Sequence, residues 1–376
     1  MDAERIRRSR ALVRRYLPEN GSLQCSTRIK EIYVMLSFGC NIRCRICPFW
    51  GDQGVCHDTD LHSQYQGSFD RQSMHRFLTS ARGYHPSTLN LSGGEPLLSP
   101  HWKTVAQIAR ELEYPQIILT TNASFLHRHI EDVADHVDVL QVSFTDPVEW
   151  LRGFSPNDPD RDWAVALHAL FSQARRRNPA LQIVVNYALE RDSIASVERF
   201  VDAALSSPGL VDELRLIHPM YLSPPLLRAH QSDLAKFGTA ARFWEGFGAQ
   251  QHGTDIAALR HALSAIRTRH PSVMVFPFLE DEELADWYGD GGFLPERYSD
   301  LCGAPWTQVH VVPNGDVWAC YDVVLGNIHR DDVETIWNGP QAQMLRNHVA
   351  TEGLFRGCSG CFLKYSVMES GTQETP

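Results

Sequence analysis

No stretch of the 376-residue chain is a run of the ~20 apolar residues that a membrane-spanning helix requires. Positive charge is also in short supply, with 35 Lys and Arg against 45 Asp and Glu and a formal net charge of −10. Phosphate backbones demand a basic surface, so nucleic acid is excluded as the main partner. Such a field suits a neutral or cationic small molecule. The basic opening, Met1 to Arg10, is not followed by the apolar core of a secretory signal and reads as a surface helix. No internal repeat or low-complexity tract is visible. Cysteine is sparse and odd in number, nine in all, and seven of the nine are clustered at metal-ligand spacings. That pattern argues against a disulfide scaffold and predicts a reducing, cytoplasmic setting. What remains is an ordinary globular composition, 43% hydrophobic and 21% charged, long enough for one large or two ordinary domains.

Three of the cysteines form Cys40-x3-Cys44-x2-Cys47, directly after a strand-like run from Glu31 to Phe38. Three thiolates on one loop can grip a single inorganic centre. A [4Fe–4S] cluster normally takes four cysteines, so three leave one iron open for chemistry. The alternative is a zinc site completed by Cys56 or His57.

After the triplet, helical and strand patterns alternate. Helices are predicted over 70–82, 100–113, 125–134, 162–177 and 193–205. Strands are predicted over 87–92, 116–121, 137–143, 181–189 and 211–217. Six βα units in a row predict an α/β fold with a parallel sheet and outer helices. Groups that follow the strands then share one rim, where α/β barrels keep their reactive residues. On that rim lie the triplet, Gly93-Gly94-Glu95-Pro96, Asn122, Ser143 and His218. Paired glycines let a backbone approach a ligand closely, and a carboxylate suits an ammonium group. Further on, 255–269 reads as a helix, 272–278 as a strand with Pro277 at an edge or end, and 281–298 as an acidic, Gly-rich linker.

Cys302, Cys320, Cys358 and Cys361 make a second set. Between the first two lies a hairpin with an Asn314-Gly315 turn, and a helix is predicted over 332–349. Four thiolates would fully ligate one further [4Fe–4S] cluster, with a zinc ribbon as the alternative.

At these motifs the chain resembles the radical S-adenosylmethionine (SAM) superfamily, and residues 301–362 resemble its auxiliary-cluster extension, the twitch domain, a shortened SPASM domain. The resemblance implies a six-stranded partial (β/α)6 barrel with a small C-terminal α+β auxiliary-cluster domain. It divides the chain into a basic lead-in (1–30), the barrel (31–225), an extension and linker (226–300) and the twitch domain (301–376). It implies two [4Fe–4S] clusters, SAM on the open iron, a flavodoxin- or ferredoxin-type reductant, and a 5′-deoxyadenosyl radical that abstracts hydrogen from substrate. Gly93, Gly94 and Glu95 are implied to hold the SAM amino group, with Asn122 and Ser143 as further SAM contacts. Ile46 stands where the family has an aromatic residue, and Ala123 where it has glycine.

Twitch-type enzymes include sugar epimerases and aminocyclitol dehydrogenases of antibiotic pathways. The leading expectation is therefore epimerisation at a hydroxyl-bearing carbon of a sugar or aminocyclitol. The alternatives are dehydrogenation to a ketone and a peptide-modifying maturase; residues 1–30 are too short for the peptide-binding winged helix that such maturases carry. An epimerase needs a hydrogen donor on the face opposite the radical. Cys56, in the loop Gly51 to His57, is the expected donor, and Cys25 lies toward the other end of the first strand. His218 is the expected base or hydroxyl contact, with Asp146, Glu190 and Arg191 as further polar candidates.

Overall fold

The computed structural model describes residues 3–64, 67, 69–145, 162–238, 242–248, 253–289, 291–298 and 302–370. Six strands follow one another in the first two-thirds of the chain: β1 Glu31–Met35, β2 Thr88–Ser92, β3 Gln116–Thr121, β4 Val139–Phe144, β5 Gln182–Ala188 and β6 Glu213–Ile217. Each pairs in parallel with the next. The expected six-stranded parallel core is present.

Period-two patterning sets the two faces of this sheet. Ile32, Val34, Leu89, Leu91, Ile117, Leu119, Leu140, Val142, Ile183, Val185, Leu214 and Leu216 are buried on the outer face. The alternate residues, among them Tyr33, Thr120, Gln141, Ser143, Asn186 and Arg215, are polar and only partly covered. Arg215 on β6 acts electrostatically on Tyr33 on β1, although four strands separate them in the sheet. The sheet therefore curls, and its inner face encloses a polar lumen.

Helices begin where the sequence supplies an acceptor for their unpaired N–H groups. Asp70 caps Arg71–Ala81 through Gln72 and Ser73, Asp162 caps Trp163–Arg177 through Ala164 and Val165, and Asp255 caps Ile256–Arg269 through Ala258. The expected helix over 332–349 is two helices, Val333–Asn338 and Pro340–Thr351. Pro340 starts the second because it has no N–H for the helix before it.

The sheet does not stop at six strands. β7 (Met274–Phe276) pairs with β6 and forms one edge, where Pro277 ends it. At the other side β8 (Gln308–Val311) runs parallel beside β1, followed by antiparallel β9 (Asp316–Cys320) and β10 (Val323–Asn327). The C-terminal strands thus extend the barrel sheet, covering an edge of β1 that would otherwise present unpaired backbone groups.

The segment read as a linker, 281–298, is part of the core. It contains a short helix, Leu284–Trp287, and buries Leu284, Trp287, Tyr288 and Tyr298. Its apolar and aromatic residues are few and scattered among acids and glycines, which hid them from a periodicity reading. No helix among the described residues is long and apolar enough to cross a membrane.

Candidate active site

The loop that follows β1 is held in a tight winding. Cys47 N–H donates to Cys44 O (3.0 Å), Gly51 N–H to Cys47 O (2.8 Å) and Asp52 N–H to Arg45 O (3.2 Å). The Trp50 indole N–H donates to Phe38 O at 2.5 Å. Cys40, Cys44 and Cys47 are partly exposed thiols outside any disulfide. Each of the first two receives help from a neighbouring strand end. Asn122 Nδ2 lies 3.6 Å from Cys40 Sγ, and Thr145 Oγ1 donates to Cys44 Sγ at 3.3 Å. Burial pushes the Cys47 thiol up to about 11 and raises Cys40 as well. Such thiols keep their protons until a metal displaces them.

The Gly93–Glu95 turn is laced onto the same loop. Gly94 N–H donates to Ser37 O (2.7 Å) and Glu95 N–H to Gly39 O (2.8 Å). Gly93 has φ +129°, and a Cβ on Gly94 would lie 2.2 Å from Gly39 O. Only glycine allows this approach. The carboxylate of Glu95 is placed differently from the expectation that it faces an ammonium. It is 0% exposed and accepts from Leu97 N–H (3.0 Å), Thr121 Oγ1 (2.6 Å) and Asn122 N–H (2.8 Å). Its bonds are spent on joining β2 to β3. Backbone groups of Gly93 and Gly94 are left as the turn's contribution at the rim.

Asn122 lies at the end of β3 and reaches the cysteine loop, donating to Asn41 Oδ1 (3.1 Å) as well as facing Cys40. Ala123 takes the left-handed conformation, φ 60°, that the family's glycine position implies. Ser143 is exposed on the inner face of β4, one position before the strand ends. Asp146 lies outside the described residues. Glu190 follows β5, is buried, and pairs with Arg45 of the cysteine loop at 3.6 Å. Arg191 pairs with Asp192 at 2.8 Å.

Two expected site residues are set into the core. His218 is 0% exposed; its Nδ1 is 2.8 Å from Tyr288 Oη, which itself donates to Leu189 O (3.1 Å). Burial lowers the ring to about 3. It clamps β6 to the 284–288 segment and presents no surface to a substrate. Cys56 is 5% exposed, and burial raises its thiol to about 12. The glycine beside it does not make a flap: a Cβ on Gly51 would sit 2.1 Å from Arg45 O. Loop 51–57 is packed down on the cysteine loop, which is why Cys56 is buried. Cys25 stays partly exposed in the lead-in to β1.

At the opposite rim Cys302, Cys320, Cys358 and Cys361 come together from three separate segments, the last two sharing one turn. Burial first, then mutual repulsion, raises Cys320, Cys358 and Cys361 well above an ordinary thiol; burial alone raises Cys302. Lys364 lies close enough to oppose this at Cys302, Cys358 and Cys361. Four converging free thiols are a fitting donor set for a cluster. Among the described residues no three His, Cys, Asp or Glu side chains are grouped to hold a single metal ion, and His57 Nε2 is engaged with Gly51 O at 3.0 Å.

Between the two cysteine sets lies the lumen. Tyr33 donates to Glu31 (2.9 Å) and stacks on His310 at 4.5 Å, 4° between ring planes. Tyr321 makes an edge-on contact with His310 at 5.9 Å. Thr88 Oγ1, Asn186 Oδ1, Gln308 Oε1 and both His310 ring nitrogens are buried there without a protein hydrogen-bond partner. Buried polar atoms are costly unless satisfied, so a set of them around one space marks a binding chamber. Sequence reading missed these residues. The signal was available in the alternation of polar with apolar residues along β1, β5, β6 and β8, unlike the continuous apolar runs of sheets buried on both faces.

Comparison with known proteins agrees with this geometry. Residues 34–172 match the family model of the radical SAM superfamily, and residues 302–362 match that of the SPASM iron–sulfur cluster-binding domain. A PqqA peptide cyclase of Streptomyces rochei is 28% identical over 249 residues, 65% of this chain and 58% of that protein. The chain thus spans less than two-thirds of that relative's length. Crystal structures of SuiB from Streptococcus suis share the fold. The complex with precursor peptide SuiA gives a TM-score of 0.58 at 14% identity, covering 93% of this chain and 75% of that one. The complex with S-adenosylmethionine gives 0.56 at 16%, covering 95% and 77%. The chain carries a radical SAM domain and a SPASM-type domain, and its cofactors are SAM and [4Fe–4S] clusters.

Proposed function

We propose that this protein is a radical SAM enzyme that modifies a peptide. The observation that carries the reading is the sequence match, across 65% of the chain, to a relative named as a peptide cyclase. The alternative of the sequence reading is therefore preferred to its leading expectation, epimerisation of a sugar or aminocyclitol. A hydrogen donor was central to that expectation, and the burial of Cys56 and His218 gives it little support.

The residues divide the work as follows. Cys40, Cys44 and Cys47 hold the first cluster, and backbone at Gly93–Gly94, with Asn122 and Ser143, borders SAM. Cys302, Cys320, Cys358 and Cys361 hold the second. When bound there, SAM and the first cluster would supply radical chemistry for abstracting hydrogen from a carbon of the substrate. The lumen wall orients the substrate: Arg215, Glu31, Tyr33, Asn186 and His310 offer donors and acceptors to an inserted side chain. Four thiols on the second centre leave no iron for direct substrate binding, so orientation falls to these side chains.

The test is anaerobic reconstitution with a reductant, followed by mass spectrometry on two substrate panels. Short peptides encoded beside the gene form one panel, and glycosides and aminocyclitols the other. Loss of two hydrogen atoms from a peptide, matched by 5′-deoxyadenosine, is the expected result. Turnover of a glycoside with no peptide product would overturn the reading.

A further inference from the structure

The floor of the lumen holds a carboxylate to which the fold brings no cation. Glu31 opens β1 on the inner face. β8 runs along one side of it and β2 along the other, and the parallel registers set Gln308 and Thr88 level with it. Level residues on adjacent strands point to the same face and stand about 5 Å apart, so the three side chains form a row.

The oxygens of this row lack donors. The Glu31 carboxylate accepts from the Tyr33 hydroxyl at 2.9 Å and forms no salt bridge among the described residues. Gln308 is 2% exposed. Its Nε2 donates to Ser366 Oγ (3.4 Å), a hydroxyl that itself donates to Leu363 O (3.0 Å), which fixes the amide and leaves Oε1 buried without a partner. Thr88 Oγ1 is likewise buried without a partner. Such atoms are costly to bury unless the donors of a ligand reach them.

Neighbouring groups do not fill the gap. Arg215 faces Tyr33 from β6, but its guanidinium is engaged by Glu213, with Nη2 2.8 Å from Oε2. His310 stacks on Tyr33, and burial lowers its ring to about 3, so it is neutral. Glu31 and Glu213 against Arg215 leave the floor one negative charge in excess. Strand β1 from Glu31 to Met35, roughly 13 Å of chain, separates the row from the rim with the cysteine triplet. A group that reaches the row from that rim is the end of a long side chain inserted lengthwise.

We propose that the row Gln308, Glu31 and Thr88 is a subsite for the cationic end of a lysine or arginine side chain of the substrate. The assignment to a side chain rests on the reading that the substrate is a peptide. An ammonium or guanidinium brings several N–H donors and one positive charge, which matches three acceptor groups and one carboxylate without a counter-ion. A neutral amide or hydroxyl leaves that charge uncompensated, and an acidic side chain is repelled. Glu31 thereby selects which residue of the peptide enters the lumen, and holds the carbons nearer its backbone toward the rim.

The test uses the full, reconstituted chain and calorimetry. The probes are n-butylammonium and n-butylguanidinium, with n-pentanol and propionate as neutral and acidic counterparts. The cations are expected to bind at least tenfold more tightly than either counterpart. Glu31→Gln keeps the size and an acceptor oxygen but removes the charge; it should weaken the cations at least tenfold and leave pentanol unchanged. Gln308→Leu should weaken the cations several-fold. Glu111→Gln, exposed at the end of the helix Trp102–Glu111, is the control and should bind as wild type. If Glu31→Gln fails to fold, Gln308→Leu and the wild-type ranking decide. Equal binding of pentanol overturns the proposal, as does cation binding that survives both variants. With a peptide substrate, replacing its basic residues one at a time by norleucine should raise KM at least tenfold at one position, and that penalty should vanish in Glu31→Gln. Undiminished kcat/KM on a peptide with no basic residue overturns the subsite and leaves the peptide reading intact. Turnover of glycosides alone overturns the peptide reading, and the calorimetric ranking then still decides the subsite.

Discussion

The carboxylate of Glu95 accepts the backbone N–H of Asn122 at 2.8 Å, joining the end of β2 to the residue whose side chain faces Cys40. The acid of the Gly-Gly-Glu turn therefore supports the cysteine loop from behind.

Glu95→Gln keeps the shape but replaces one acceptor oxygen with a donor. It should destabilise the fold by about 1–3 kcal/mol in denaturant titrations and leave the SAM affinity of the folded protein unchanged. Lost SAM binding at unchanged stability would restore the ammonium-binding role.

The same carboxyl predicts a pH effect. Burial raises it to about 7 from an ordinary 4.5, so the folded chain holds the proton more tightly than the unfolded chain. Its favourable contribution is complete below about pH 4.5 and is lost as the pH rises through 7. The stability of wild type relative to Glu95→Gln should fall across that window. His218, lowered to about 3, acts in the opposite direction in both proteins, so the difference between them is the quantity to measure. A flat difference would show that Glu95 does not titrate there.

Replacing Cys40, Cys44 and Cys47 together with Ala should leave about half the iron, by the ligand arithmetic of two four-iron clusters, and abolish SAM cleavage. Iron analysis and detection of 5′-deoxyadenosine check both. Residual cleavage would mean that the first motif has been misassigned.

Tyr288→Phe removes the hydroxyl shared by His218 and Leu189. The expected loss is about 1–3 kcal/mol of stability, with substrate-free SAM cleavage retained in the folded fraction. Unchanged stability with lost turnover would return His218 to the chemistry.

Cys56→Ala should make the normal product at close to the normal rate, because the thiol is enclosed beside Cys47 and raised by burial. Retained SAM cleavage with an unquenched or oxidised product would show that the thiol is a hydrogen donor after all.

By itself the sequence determined the parallel core, the rim on which the strand ends meet and the seven clustered cysteines, because strand periodicity and ligand spacing are local properties. Asp70, Asp162 and Asp255 announced their helices for the same reason, since a cap acts within three residues. Tertiary structure alone decided what the side chains at those positions do. Glu95 is spent on Thr121 and Asn122, at the end of another strand, and His218 on Tyr288, seventy positions away. Cys56 lies inside because Gly51 packs onto Arg45 and Cys47. The stack of Tyr33 on His310 exists because β8 returns to lie beside β1. Burial and partnership are set by which distant segments meet, and no spacing within the chain records that.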